Sequence, residues 1–237
     1  MQKSVGLSRT VRLDWLDAVA FMCIENELPA QIRARLDEML VTAQPGSVER
    51  QRIVDTLVKI WVRAEPALKM KGLDLFRQAS TRQDHLCLHY GMILAQYPFF
   101  RVCMSAIGQL SRTEETVSRP IIKKKVAAEL GNLGSIERAI ERLFKTLLDW
   151  EVLIPDTDQK EFKILPRTVV SSMKELEFWL LFSALLTHPS DAIPFEDLLR
   201  LPELFPFRFS VTIDDLRRNS TFEVQRQGGG LDMVKLN

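Results

Sequence analysis

The sequence lacks several features by which an enzyme or a membrane protein is often recognised. It contains no Walker phosphate loop and no GxGxxG, GxSxG or HExxH motif. Its acidic pairs, such as Glu114-Glu115, are sequence neighbours, which do not face each other on a helix. Its apolar runs are short, because "FWLLFSALL" (Phe178–Leu186) is about half of the roughly 20 residues that cross a bilayer as a helix. We therefore expect a non-enzymatic, soluble protein that needs no cofactor.

Cysteine and histidine are scarce, with three of each. Cys23, Cys87 and Cys103 are odd in number, widely spaced and embedded in apolar helical sequence, which predicts reduced core thiols and no disulfide framework. His85 and His89 are one helical turn apart and could reach one ion, but no third ligand lies near them in sequence, so we predict no metal site. The N-terminus has no unbroken apolar region of the secretory type, which favours a cytoplasmic location.

The chain has no strong excess of either charge. Its formal net charge is only +1, so an attraction to nucleic acid would have to come from a local basic patch. Apolar residues make up 46% and charged residues 27% of the 237 positions, ordinary values for a protein that folds into a core.

Helical periodicity covers most of the sequence, which predicts a mainly α fold in three regions. Residues 1–97 are predicted to form a helical bundle, residues 98–167 a winged helix-turn-helix, and residues 168–237 a helix followed by a small α+β tail. The tail ends in two strand-like runs around "GGG" (228–230). Two interpretations of that tail remain open: a second, degenerate winged helix or a capping hairpin.

The central region has the element order of a winged helix-turn-helix. In "RPIIKKKVAAELGNLGSIERAIERLFKTLLDWEVLIP" (119–155), a helix over 120–130 is followed by a turn bracketed by Gly131 and Gly134 and by a longer helix from Ser135. Two apolar runs, 152–154 and 162–165, then flank a polar turn and predict a β-hairpin, the wing.

The longer helix is amphipathic, with a basic stripe opposite its apolar half. At 100° per residue, one half of the wheel holds Ile136, Ala139, Ile140, Leu143, Phe144, Leu147 and Leu148. Opposite lie Arg138, Arg142 and Lys145, with Ser135 at the N-terminal end. A helix that enters the major groove presents the face that its own core leaves uncovered, so we predict duplex DNA as the partner of this stripe.

Further basic residues around the stripe are candidate phosphate contacts. They are Arg119, Lys123, Lys124 and Lys125 on the first helix and Lys160 and Lys163 at the wing, with Arg167 just after it. The alternative is a solvated surface on an assembly module, because winged helices also dock proteins. Such a module would use the same helices or the aromatic segment "LPELFPFRF" (201–209).

Two stretches of the chain resemble a known family. "SVGLSRTVRLDWLDAVAFMCIENELPAQIRARLDEML" (4–40) and "RLFKTLLDWEVLIP" (142–155), within an all-helical layout over residues 4–167, resemble BrxA-like proteins of the BREX phage-exclusion systems. The resemblance implies a non-enzymatic, DNA-associated component of a bacterial phage-defence complex, with other defence proteins as partners. A homo-oligomer through the apolar run Phe178–Leu186 is a further partner that the sequence leaves open.

Overall fold

The computed structural model describes residue 7 and residues 9–131, 134–157, 160–228 and 230–237. Parts of four sequence features therefore lie outside the described residues: the start of the 4–40 stretch, the centre of the turn between the paired helices, and parts of the two hairpin turns. The described residues form a mainly helical fold with two small antiparallel sheets, which confirms the predicted class in its coarse form.

Six helices form the first part of the described chain. They are α1 (Leu13–Ile24), α2 (Pro29–Leu40), α3 (Ser47–Trp61), α4 (Pro66–Phe76), α5 (Arg82–Leu94) and α6 (Pro98–Leu110). Proline occupies the first position of α2, α4 and α6, where its missing N–H costs no helical hydrogen bond. Gly46 is the N-cap residue of α3, and Ser47 is the first residue of that helix. The three cysteines are buried free thiols, as predicted.

The central elements follow directly. They are β1 (Thr116–Ser118), α7 (Arg119–Leu130), α8 (Ile136–Asp149), β2 (Leu153–Pro155) and β3 (Glu161–Ile164). β2 and β3 form the predicted hairpin, and β1 adds to it, giving an antiparallel sheet in the order β1-β3-β2. The sequence gives no sign of β1, because a strand of three residues is too short to show an alternating pattern.

The C-terminal elements follow a related order, with one more helical element. They are α9 (Lys174–Leu186), β4 (Ile193–Pro194), α10 (Phe195–Leu198), a 3-10 turn (Pro202–Leu204), α11 (Ile213–Arg218), β5 (Phe222–Gln227) and β6 (Leu231–Leu236). Their sheet has the order β4-β6-β5. Both regions begin with a helix and a short strand and end in a hairpin, and in both the short first strand pairs with the last one. Between the short strand and the hairpin lie two helices in the central region, and α10, the 3-10 turn and α11 in the C-terminal region.

Two backbone N–H groups at the entry of α1 donate to side chains of α8. The backbone N–H of Val11 donates to Thr146 Oγ1 at 2.9 Å, and the N–H of Leu13 donates to Asp149 Oδ2 at 2.9 Å. The second bond gives a partner to one of the N–H groups that the first turn of α1 leaves without a helical acceptor. The entry of α1 is therefore positioned by the C-terminal half of α8.

Two surfaces predicted to be available to protein partners are buried within the chain. In the segment 201–209, Leu204, Phe205 and Phe207 are among the core residues. In α9, Trp179 and Leu181 are fully buried, and the Trp179 indole donates to Leu88 O of α5 at 3.0 Å. These buried side chains are therefore not available to a partner, and contacts through the remainder of both segments stay predictions. No described helix is long and apolar enough to cross a membrane.

Candidate nucleic-acid interface

The apolar half of α8 packs into the core. Ile136, Ala139, Ile140, Leu143 and Leu147 are buried there, as the periodicity predicts. On the opposite side Arg138 and Lys145 are exposed. Arg138 makes no ion pair with any described residue, whereas Lys145 Nζ lies 3.6 Å from Glu141 Oε1 on the same helix. An exposed pair of this kind contributes little stability, so both cations are available to a ligand.

Arg142 departs from the predicted stripe. Its side chain is only 29% exposed, and its Nη2 lies 3.4 Å from Glu49 Oε1 of α3. Arg9 Nε lies 3.0 Å from the same oxygen. The helical wheel placed Arg142 on an open surface because it could not include the N-terminal bundle, which covers this flank of α8.

Arg9 and Arg142 crowd their positive charges around one carboxylate. Burial, followed by the nearby charge of Arg142, lowers the pKa of Arg9 from its ordinary value, although Glu49 acts in the opposite direction. A site in which cations outnumber carboxylates favours the arrival of an anion.

A cavity of about 590 Å³ lies between α8 and the N-terminal segment. Its charged lining consists of Arg9, Arg12, Arg138, Arg142, Lys145, Glu49 and Glu141. The Arg12 guanidinium also lies over the ring of Trp15, 5.5 Å from its centroid. Arg9 and Arg12 were not predicted as site residues, and the pair of arginines in "SRTVRLDW" (8–15) is the signal that could have indicated them. The long sequence separation from α8 kept them out of the predicted site.

The lysines of α7 differ from one another. Lys123 Nζ lies 2.7 Å from Glu137 Oε2 of α8, and this hydrogen bond lowers the pKa of Glu137. Lys124 and Lys125 are exposed and have no ion pair within the described residues. The pair between Lys123 and Glu137 therefore joins the two helices, and the other two lysines remain open to phosphate.

Arg119 has a packing role that its sequence position did not indicate. Its guanidinium lies 4.7 Å from the ring centroid of Phe162 and 5.7 Å from that of Phe144. Contacts of a cation with aromatic faces are favourable, and more so when partly buried. Arg119 therefore packs β3 against α8, and its contact with DNA stays a prediction.

Ser135 and the hairpin lysines complete the predicted set. Ser135 precedes α8 as its N-cap residue, is exposed, and makes no side-chain capping bond. Lys160 and Lys163 are both exposed. Lys163 lies on β3 in register with Thr116 of β1 and Ile154 of β2, so its position is set by strands on both sides.

His85 and His89, one helical turn apart on α5, both contact the carboxylate of Asp17. His85 Nδ1 and His89 Nε2 each lie 2.8 Å from Asp17 Oδ1, and the Trp61 indole donates to His89 Nδ1 at 3.2 Å. Burial by itself would raise the pKa of Asp17, but the bonds from both histidines outweigh it and hold the pKa at about 2. The bond to Asp17 raises the pKa of His85, whereas burial lowers that of His89. These hydrogen bonds link Asp17 of α1 and Trp61 of α3 to the two histidines of α5.

Comparison with known proteins found no relative of this chain. No protein-family model, curated protein or solved structure matches the chain. What the molecule does therefore has to be inferred from its geometry.

Proposed function

We propose that this protein binds duplex DNA, and that α6 to β3 act as a winged helix-turn-helix with α8 in the major groove. The element order α6, β1, α7, α8, β2, β3 and the sheet order β1-β3-β2 support this assignment. The observation that carries the proposal is the exposure of Arg138 and Lys145 on the side of α8 opposite its buried apolar half. A helix inserted into a groove has to present that uncovered side.

The proposed DNA contact of each basic residue follows from its position. Arg138 lies near the N-terminal end of α8 and is the candidate for bidentate contact with guanine or for a phosphate contact. Lys145, Lys124 and Lys125 contact phosphates, and Lys160 and Lys163 bring the hairpin to the backbone beside the groove. Each such contact releases counterions, so binding weakens as salt rises.

The N-terminal bundle extends this interface. Arg9 and Arg12 line the same cavity as Arg138, and they add cations to the flank of α8 where Arg142 is held by Glu49. A duplex lying along α8 would meet this flank, where a phosphate can replace Glu49 as the partner of Arg142. Arg142 thus contributes to DNA binding once a phosphate has replaced Glu49 as its partner.

The cellular role that we propose follows the sequence resemblance to BrxA-like proteins. In that role the chain is a non-enzymatic, DNA-associated component of a bacterial phage-defence system and works together with other defence proteins. The basic surface on α8 and α7 supports the DNA contact itself, and deletion of the gene followed by phage challenge tests the role in defence.

Fluorescence anisotropy with a labelled duplex of roughly 20 base pairs, about two helical turns, tests the proposed function. The full chain should bind, and the apparent affinity should fall steeply between about 50 and 200 mM salt. Arg138→Ala/Lys145→Ala should weaken binding and reduce the salt slope by about 0.9 for each phosphate that the variant no longer neutralises.

The matched control removes the same charge elsewhere. Arg63→Ala/Arg208→Ala also deletes two exposed cations, and neither residue lies on α7, α8 or the hairpin. Equal weakening of binding in the two double variants would show that net charge alone drives association, and the groove model would then be wrong. Absence of salt-dependent binding by the wild-type chain would also reject it.

A further inference from the structure

A second cavity, of about 730 Å³, lies where the central and C-terminal elements meet. The end of α6 forms one side, the segment after β3 forms another, and the chain from α10 to residue 207 forms the rest. The volume is in the range of small-molecule sites, which occur preferentially where structural units join. It lies beyond the C-terminal end of β3, whereas the hairpin turn precedes that strand. The cavity is thus separate from the hairpin end of the proposed DNA surface.

The charged lining of this cavity is mostly cationic. Three arginines, Arg112, Arg167 and Arg200, line it together with one carboxylate, Asp197. This local excess contrasts with a whole chain that carries a net charge of only +1. Such a cavity favours a ligand with more than one negative charge.

Two of the three guanidinium groups have no carboxylate partner among the described residues. Arg112 Nη2 donates to the backbone oxygen of Arg200 at 3.0 Å, which holds its guanidinium at the cavity. Arg167 makes no side-chain hydrogen bond or ion pair in the described part of the chain. Arg200 Nη2 lies 3.4 Å from Glu196 Oε2 in an exposed pair, which an incoming anion can displace at little cost.

The backbone of Arg167 is held in an unusual conformation. Its φ is 54°, in the left-handed region that residues with a Cβ seldom adopt. Its N–H donates to Phe205 O at 2.8 Å, and the N–H of Val169 donates to Pro206 O at 2.9 Å. Such conformations persist where the surroundings hold them, and they concentrate at functional sites. Here the constraint directs the segment that carries the Arg167 guanidinium along the cavity.

The remaining wall is rigid. A Cβ at Gly108 would lie 1.9 Å from Pro202 O, so α6 and the 3-10 turn touch through backbone atoms. The neighbouring Glu203 is buried, receives the Tyr90 hydroxyl at its backbone oxygen, and pairs with Arg101 at 2.9 Å. The cavity is therefore formed before a ligand arrives, as in most small-molecule sites.

We propose that this cavity binds the phosphate groups of a nucleotide-sized molecule through Arg112, Arg167 and Arg200. Guanidinium groups match phosphate oxygens with paired, charge-assisted hydrogen bonds. The half-buried Leu199 and Leu201 supply apolar lining beside the arginines, which suits the base or another uncharged part of the ligand. This site is independent of DNA binding by α8.

Isothermal titration calorimetry of the full chain with ADP, inorganic phosphate and adenosine tests the site. ADP should bind, phosphate should compete with it, and adenosine should not bind measurably. Arg167→Gln and Arg112→Gln should each weaken ADP binding by about ten- to a hundredfold, because each removes a charge-assisted contact. Arg208→Gln, an exposed arginine outside the cavity lining, should leave binding unchanged.

Three results would overturn the proposal. Adenosine binding as tightly as ADP would show that the phosphates are not recognised. Equal weakening of ADP binding by Arg208→Gln and Arg167→Gln would show that the cavity is not the binding site. Binding of duplex DNA that is weakened by Arg167→Gln and Arg112→Gln, without any binding of ADP or phosphate, would assign these arginines to the DNA backbone. Thermal unfolding of each variant shows that it is folded, and Arg112→Gln decides the outcome should Arg167→Gln unfold.

Discussion

Thr146 of α8 accepts the backbone N–H of Val11 at 2.9 Å, and both residues are fully buried. The two positions are 135 residues apart in the chain. This bond ties the segment that carries Arg9 and Arg12 to the helix that carries Arg138 and Lys145. The composition of the proposed DNA surface therefore depends on a contact inside the molecule.

Thr146→Val should test that contact, because valine keeps the shape of threonine and removes the acceptor. The Val11 N–H would be left buried without its partner, which costs about 1–3 kcal/mol. We expect the melting temperature to fall by about 2–4 °C for each kcal/mol in a chain of this size. Thr113→Val, at an exposed threonine after α6, is the control and should change the melting temperature little. Equal stability of the Thr146 variant and the wild type would show that the bond contributes nothing.

Glu49→Gln should strengthen DNA binding in the proposed interface. Glu49 is shared by Arg9 and Arg142, so removing its charge weakens one contact of each cation and removes a repulsion towards phosphate. We expect an affinity gain of a few fold, about 1 kcal/mol, and a steeper salt dependence in the anisotropy assay. Glu38→Gln removes the same charge at an exposed position of α2 and serves as the control. Weaker binding by Glu49→Gln would contradict the exchange of partners proposed for Arg142.

The local parts of this fold could be predicted from the sequence, whereas its long-range contacts could not. Periodicity identified the buried half of α8, and the two apolar runs after it identified the hairpin of β2 and β3. The strands β1 and β4 have three and two residues, too few for a pattern to develop. Contacts such as that between Glu49 and Arg142, 93 residues apart, depend on how the bundle packs against α8. A helical wheel therefore shows which residues of a helix can be exposed, but packing against other helices can still cover some of them, as it does Arg142.

The stability of the fold should depend on pH through His85. Its pKa is raised above the ordinary 6.5, mainly by the hydrogen bond to Asp17, so the folded state binds the proton more tightly. This contribution is complete below about pH 6.5 and is lost as the pH rises through the folded-state value. His89 acts in the opposite direction, because burial lowers its pKa and acid therefore costs stability between that lowered value and 6.5.

Melting temperatures of the wild type and His85→Gln between about pH 5 and 9 measure this effect. We expect the wild type to lose stability above neutral pH relative to the variant, so that the difference between them narrows as the pH rises. His188→Gln, outside the cluster around Asp17, controls for removal of a histidine. A difference in melting temperature that stays constant from about pH 5 to 9 would show that folding does not change the proton affinity of His85.

Asp84→Asn should disrupt the connection between α5 and the segment before α9. The buried carboxylate accepts the Ser172 N–H at 2.8 Å, the Ser172 hydroxyl at 2.6 Å and the Ser171 hydroxyl at 3.0 Å. It also accepts the N–H of Thr81 at 3.2 Å, which caps α5. An asparagine amide would direct N–H groups at some of these donors, which leaves buried groups unpaired at a cost of about 1–3 kcal/mol.

Acid should have a related effect on the wild type. Burial by itself would raise the pKa of Asp84, but the hydrogen bonds from Ser172, Thr81 and Ser171 outweigh it and lower the pKa to about 2. The resulting stability is present above the ordinary value of 3.8 and is lost as the pH falls towards 2. Thermal unfolding at pH 7 and between about pH 4 and 2 should therefore show a larger gap between wild type and Asp84→Asn at neutral pH. Asp191→Asn, at an exposed position, should follow the wild type, and an Asp84→Asn deficit that persists unchanged in acid would rule out ionisation as its source.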